Sequence, residues 1–137
     1  MDTRKVAEEL DNRITQLRKG ILELAILGAL QHRSHYGYSL VRVLSRTGAL
    51  DLKEGTIYPI LSRMHRDGLV RSQWVESSQG PPRKYYSLTA LGSRQYHALI
   101  QEFEQLVEMV RESNRNPEIP QEQRGPSITV RKEPKNE

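Results

Sequence analysis

The 137-residue sequence predicts a mainly α fold carrying one two-stranded β-hairpin, and three observations lead there. Two apolar stripes at 3-4-3-4 spacing, one near each end of the ordered region, have the period of amphipathic helices. Between them lies a shorter amphipathic segment that Gly68 stops. Two β-rich runs then follow, separated by Ser77-Ser78-Gln79-Gly80-Pro81-Pro82, the composition of a turn.

The first helix is expected over residues 13–31. Ile14, Leu17, Ile21, Leu24 and Gly28 keep the 3-4-3-4 spacing, and Leu22, Ala25 and Leu27 widen the stripe toward more than one neighbour. A second helix is expected over 35–46, with Ser34 as N-cap, Leu40, Val41 and Leu44 inward, and Gly48 just past its end. Residues 49–53 form a linker. The third helix runs from Glu54 or Thr56 to Asp67. Proline is comfortable only in a first helical turn, so Pro59 implies either a regular start near Thr56 or an early bend. On a helical wheel Ile57, Ile60, Leu61 and Met64 share one side. Gly55, Pro59, Ser62 and Arg66 lie opposite, flanked by Thr56, Tyr58 and Arg63.

Leu69 to Val75 and Arg83 to Leu88 read as antiparallel strands. Thr89 caps the last helix, whose stripe is Tyr96, Leu99, Phe103, Leu106 and Val110. A helix of about 24 residues spans roughly 36 Å, more than the rest of this domain can cover. Each stripe residue left in water forgoes about 1.5–3 kcal/mol, so a partner chain is the simple solution. From Asn114 onward, Pro117, Pro120, Pro126 and Pro134 alternate with charges and amides, which predicts disorder.

Charge is concentrated in the middle of the chain. Residues 14–93 hold eleven Lys/Arg against five Asp/Glu, a net +6; residues 94–113 hold two against four, a net −2. That is the footprint of a polyanion-binding unit joined to a helix with a different task. Aromatics make up only 6% of the residues. That is thin for a self-sufficient core and again favours completion by a second chain. The lack of cysteine removes disulfides and thiolate metal sites and fits a cytoplasmic protein. The longest stretch free of polar side chains, Leu24 to Leu30, cannot span a bilayer, and the mixed charges of the N-terminus do not make a secretory signal. His32, His35, His65 and His97 lack a completing ligand set, paired catalytic acids are not apparent, and Ser62, Ser77 and Ser78 lack the context of a nucleophile. No enzyme activity, metal or cofactor is expected.

The order of amphipathic helix, glycine stop, basic aromatic hairpin and long helix is that of a winged helix-turn-helix, which sets a helix in the major groove of double-stranded DNA and a charged hairpin on the flanking backbone. Glu54-Gly55-Thr56-Ile57-Tyr58-Pro59-Ile60-Leu61, Asp67-Gly68-Leu69, and Pro82-Arg83-Lys84-Tyr85-Tyr86-Ser87-Leu88-Thr89 with Gly92 resemble the PadR-like transcriptional regulators. Gly20-Ile21-Leu22-Glu23-Leu24 and Tyr36-Gly37-Tyr38 match that family's first two helices, and the resemblance covers about residues 17–110. It implies a dimeric winged helix-turn-helix repressor of the smaller branch, whose single last helix mediates dimerisation. Some small members hold flat aromatic ligands against a tryptophan on that helix. Here the helix carries Tyr96 and Phe103, while Trp74, expected to pack within the wing, lies elsewhere.

The resulting organisation is an N-terminal extension (1–12), a winged helix-turn-helix DNA-binding domain (13–89), a dimerisation helix (90–113) and a disordered tail (114–137). Thr56, Tyr58, Pro59, Ser62, Arg63 and Arg66 of the third helix, with Arg83 and Lys84 of the wing, are the candidate DNA contacts. Competing roles exist for several. Tyr58 could pack on the second helix, Arg63 and Arg66 could serve the helix C-terminus, and the wing charges could protect a strand edge. Tyr86 shares a strand face with Leu88 and reads as core. Ile14, Leu17, Ile21, Leu24, Tyr96, Leu99, Phe103, Leu106 and Val110 are the candidate homodimer interface. A small-molecule effector is left open and unidentified. Two other readings stand beside the repressor: a winged helix used for protein–protein contact, which would show no salt-dependent DNA binding, and a small-molecule sensor with little DNA affinity, which would show an apolar cavity between the last helices.

Overall fold

The computed structural model describes residues 2–48, 52–115, 118, 120–126 and 128. Its elements are α1 (Thr3–Ala29), α2 (Gly37–Leu44), α3 (Glu54–Arg66), β1 (Val70–Val75), β2 (Arg83–Leu88) and α4 (Ala90–Ser113), followed by one 3-10 turn at Gln121–Gln123. This is the expected mainly α chain with a two-stranded antiparallel sheet. Its first helix starts ten residues earlier than the apolar stripe alone indicates. Asp2 accepts the Arg4 N–H at 3.0 Å and caps the helix there, so most of the N-terminal extension is helical. Tyr36, rather than Ser34, is the cap residue of α2. The Ser39 hydroxyl accepts the Tyr36 N–H at 3.1 Å and donates to the Tyr36 carbonyl at 2.9 Å.

Three helices meet in one apolar core. Ile26 and Leu27 of α1, Leu40 of α2, and Ile57, Leu61 and Met64 of α3 are completely buried. Each such side chain contributes on the order of 1.5–3 kcal/mol by leaving water. The inward face of α3 is therefore the one the wheel predicts. α3 starts at Glu54 through a tight turn in which the Thr56 N–H reaches the Lys53 carbonyl at 3.0 Å. Pro59 lies within the helix, and it cannot donate to the Gly55 carbonyl one turn earlier. Both residues are exposed, so α3 carries the proline on its solvent side.

β1 and β2 pair from Val70↔Leu88 to Val75↔Arg83. On the other edge of β2, His35 and Tyr86 exchange backbone hydrogen bonds of 3.0 Å and 2.8 Å. The exchange adds a one-residue third strand. Tyr86 is buried, as its pairing with the Leu88 face requires.

The end of α3 and the start of α4 are locked together. Gly68, at φ 76°, closes α3 in a Schellman turn. The Leu69 N–H reaches the Met64 carbonyl and the Gly68 N–H the His65 carbonyl. The Thr89 hydroxyl donates to the Gly68 carbonyl at 2.6 Å and accepts the Gly92 N–H at 3.0 Å. The Thr89 N–H takes the Leu69 carbonyl at 3.1 Å. Gly92 is buried so tightly that a Cβ there would run into the Leu69 carbonyl oxygen and approach Leu88 Cδ2 to 2.9 Å.

The chain divides into two compact units, residues 1–104 and 105–137. The second holds the last turns of α4, where Arg115 pairs with Glu108 at 3.8 Å and with Glu112. The tail expected to be disordered falls largely outside the described residues.

Gly92→Ala should be severe, because a backbone carbonyl cannot swing aside. Overpacking costs about 1–3 kcal/mol, and the upper end or beyond is expected here. That corresponds to a drop in melting temperature of about 10 °C or more. Gly20→Ala lies in an exposed part of α1 where a Cβ meets nothing within 4 Å. It should instead stabilise by roughly 0.5–1 kcal/mol. Thermal denaturation followed by circular dichroism checks both signs.

Candidate nucleic-acid interface

Burial of one face of α3 leaves the other in water. Thr56, Tyr58, Pro59, Ser62, Arg63 and Arg66 are all exposed, so the structure brings every sequence-predicted α3 residue to one solvent-facing side. Two of them also have structural tasks. The Arg63 guanidinium donates to Glu23 of α1 at 3.0 Å, with half of the arginine side chain in solvent. An ion pair this exposed is worth about 0–1 kcal/mol, but it ties the outer face of α3 to α1.

Tyr58 lies against α2. A Cβ at the buried Gly37 would come within 2.5 Å of the Tyr58 hydroxyl, so the close approach requires glycine there. That hydroxyl also donates to Glu54 at 3.3 Å. Burial, and then the Glu54 carboxylate, raise its pKa above the ordinary phenol value, keeping it a proton donor. Yet 42% of the residue is exposed. Tyr58 thus packs on α2 through its hydroxyl end while part of the residue stays in solvent.

The wing residues separate. Strand alternation sends Arg83 and Lys84 to opposite faces. The Arg83 guanidinium lies 4.6 Å from the centre of the Tyr36 ring, which also meets Tyr85 at 5.3 Å and Tyr38 at 6.3 Å. Arg42 of α2 sits 5.8 Å over Tyr38. Arg83 therefore belongs to a basic, aromatic surface shared by the wing and the start of α2. Lys84 is half-buried on the other face, 5.8 Å from both the Trp74 and Tyr86 rings. Trp74 is 66% exposed, so the wing covers it only in part; its ring meets Lys84, its cross-strand partner, near the turn end of the hairpin.

Tyr36, Tyr38, Tyr85 and Arg42 join the predicted residues on this surface. Their signal in the sequence is the interleaving of tyrosine with arginine in two segments that only the fold brings together. Of the apolar stripe residues, Leu17, Ile21, Leu99, Leu106 and Val110 are exposed, and Ile14, Leu24, Tyr96 and Phe103 are half-buried. Tyr96 owes part of its burial to Gly28, where a Cβ would lie 3.2 Å from its ring. Val6 and Leu10, both exposed, continue the α1 stripe into the N-terminal extension.

His35 anchors the join between α1, α2 and the sheet. It is buried, its Nδ1 is 3.0 Å from the Ser39 hydroxyl, and it also meets the Ala29 carbonyl. Burial, and then the Arg33 charge, lower its pKa below 6.5. The folded state therefore binds this proton less readily than the unfolded chain. The resulting stability is fully present above about pH 6.5 and is lost as pH falls toward the depressed value. The melting temperature should fall between pH 7.5 and 5.5, and His35→Gln should flatten that dependence, whatever its effect at neutral pH.

Among the described residues no helix is long and apolar enough to cross a membrane. A model of the Transcriptional regulator PadR-like family matches residues 26–98, a span that contains α2, α3 and both strands. A PadR family transcriptional regulator from Eggerthella lenta is 28% identical, with a TM-score of 0.71, covering 80% of this chain and 96% of its own. A PadR-like transcriptional regulator from Bacillus cereus is 34% identical, with a TM-score of 0.66, covering 74% of this chain and 99% of its own. The structure of Bacillus subtilis PadR in complex with operator DNA shares the fold at 23% identity and a TM-score of 0.54, covering 82% of this chain and 54% of its own.

Proposed function

The chain belongs to the PadR-like family of transcriptional regulators, which are not enzymes, and on that premise we propose that it is a homodimeric, operator-binding repressor. One observation carries this reading. α3 buries Ile57, Leu61 and Met64 and exposes hydroxyl and guanidinium groups on its opposite side, beside a basic and aromatic surface formed by α2 and the wing. That is the chemistry of a helix reading base edges while flanking cations hold phosphates. Thr56, Tyr58, Pro59 and Ser62 lead sequence choice. Arg66, Arg83 and Lys84 position the backbone, with Arg63 after exchange from Glu23. That Bacillus subtilis PadR, which shares this fold, forms a complex with operator DNA supports DNA as the partner.

The dimer follows from unsatisfied apolar surface. Leu17 is 68% exposed, Val110 63%, Leu106 47% and Leu99 41%. That is a poor arrangement for an isolated chain. The 90–113 helix is the dimerisation element, helped by α1, and the operator is palindromic because a two-fold dimer presents two equal reading heads. The regulator works in the cytoplasm with self and double-stranded DNA as partners. The 114–137 tail is dispensable for folding.

Sequencing the genomic fragments bound by the full-length protein tests the reading. A shared palindromic motif supports it, and failure to retain any fragment in low salt contradicts it. Binding should weaken steeply with salt. Arg83→Ala should flatten the plot of log affinity against log salt by about 2, since a dimer loses two phosphate contacts at about 0.9 each. Lys84→Ala, on the opposite face of the wing, should flatten it less.

Phe103→Glu combined with Leu106→Glu should abolish the dimer, giving monomers or unfolded protein. Light scattering decides. A stable folded monomer from the unsubstituted chain would end the dimer proposal.

A further inference from the structure

A concave pocket of about 420 Å³ lies between the α1–α2 connection, α2 and the inner edge of the wing. Arg33 and Ser34 enter from the connection, Arg42 from α2, Arg46 from the turn after it, and Tyr85 from β2, while Tyr36 forms part of the wall. All three arginines are exposed at its rim. Among the described residues, none of their guanidinium groups has a carboxylate within salt-bridge distance, although Arg63, elsewhere on the surface, has found one. Three like charges gathered around one concavity repel each other unless an anion sits between them. The arginine fork is built for tetrahedral oxyanions, and the Ser34 hydroxyl is at hand as a further donor. The size is that of a small-ligand site.

We propose that this pocket is a phosphate-binding site in which Arg33, Arg42 and Arg46 hold the oxyanion and Tyr36 and Tyr85 form an aromatic wall for the group attached to it. The pocket has two physical sources of that phosphate. It can receive a backbone phosphate of DNA that flanks the stretch read by α3, because Tyr36 and Tyr85 continue directly into the surface carrying Arg83. It can equally receive a free phosphorylated small molecule. In that case Tyr85 would relay occupancy to the wing, since it is itself a residue of β2. The positive field at the site is felt by His35, whose proton affinity Arg33 depresses after burial has done so. The DNA branch rests on the proposed operator binding; the free-ligand branch does not.

Pyrophosphate is the probe for the full-length protein. Calorimetry and amide NMR shifts are followed at constant ionic strength, with chloride as the comparison. Saturable binding is expected, weakened at least about tenfold in an Arg33→Ala, Arg42→Ala, Arg46→Ala variant. Arg42→Lys keeps the charge but removes the fork, and it should lose part of that affinity, whereas a diffuse field effect would leave it intact. These side chains are exposed, so each variant should keep its melting temperature to within a few degrees, and circular dichroism verifies that.

A bound operator fragment separates the sources. If DNA supplies the phosphate, pyrophosphate competes with it, and each arginine removed flattens the salt dependence by about 2 for the dimer. If the ligand is free, operator affinity and slope survive Arg33→Ala and Arg46→Ala, which lie outside the proposed DNA surface, and the DNA-bound protein still takes pyrophosphate. Saturable binding that the triple variant retains would overturn the proposal. So would the lack of any pyrophosphate binding together with an unchanged salt slope. A wild-type protein that ignores DNA yet binds pyrophosphate through these arginines would refute only the operator reading.

Discussion

The contact on which the rest of the structure depends is the meeting of the Gly68-Leu69 carbonyls with the first turn of α4. Two backbone oxygens at the end of α3 are claimed by Thr89, one through its hydroxyl and one through its amide. The Leu69 carbonyl also presses against a residue that must be glycine. Because Thr89 simultaneously caps α4, the same few atoms end one helix, orient the next and admit the wing between them. A loop of ordinary flexibility would let α3 and α4 choose their angle independently. Here the angle is fixed by hydrogen bonds of 2.6 Å to 3.1 Å and by van der Waals exclusion. In a dimer built on the last helix, a fixed angle becomes a fixed distance between the two reading helices.

The outward face of α3 is held from both sides. Glu23 reaches across from α1 to Arg63, and the Tyr58 ring lies on the Gly37 backbone of α2. Neither contact is strong, and each leaves its residue partly in solvent. Their effect is to limit rotamer freedom before any ligand arrives, which lowers the ordering cost of recognition. The Glu23 pair also neutralises one cation of the proposed reading face. An approaching phosphate must compete with that carboxylate, so Arg63 is a weaker attractor than the three arginines around the pocket.

Much of this was legible in residue order. The Gly68 stop, the Thr89 cap, the buried trio Ile57, Leu61 and Met64, and the hairpin around Gly80-Pro81-Pro82 each come from local chemistry, and local chemistry is what a sequence displays. The start of α1 was missed because residues 3–12 offer only Val6 and Leu10 as large apolar residues; Asp2 as a cap was the available signal. Ser34 offers the side-chain oxygen a cap usually supplies, whereas at Tyr36 that oxygen comes from Ser39 inside the helix. The split of Arg83 from Lys84 was implicit in the two-residue period of a strand. Three contacts could not be read at all: Glu23 with Arg63, forty residues away, the Gly37 cradle for Tyr58, and the convergence of Arg33, Arg42 and Arg46 with Tyr85. These depend on how helices cross, and no periodicity encodes that.

A rigid α3–α4 junction would turn the proposed two-fold dimer into a ruler for DNA. The direct measurement is the affinity of the full-length protein for operator variants in which the half-sites are moved apart by half a helical turn or by a full turn. Natural half-sites should lie about 34–36 Å apart, one turn of the duplex. A half-turn insertion places the second half-site on the opposite side of the DNA and should reduce affinity to the non-specific level. A full-turn insertion restores the facing but not the distance, and it should bind little better. Equal affinity across all three spacings would contradict the account, because it would mean that the two reading helices move independently.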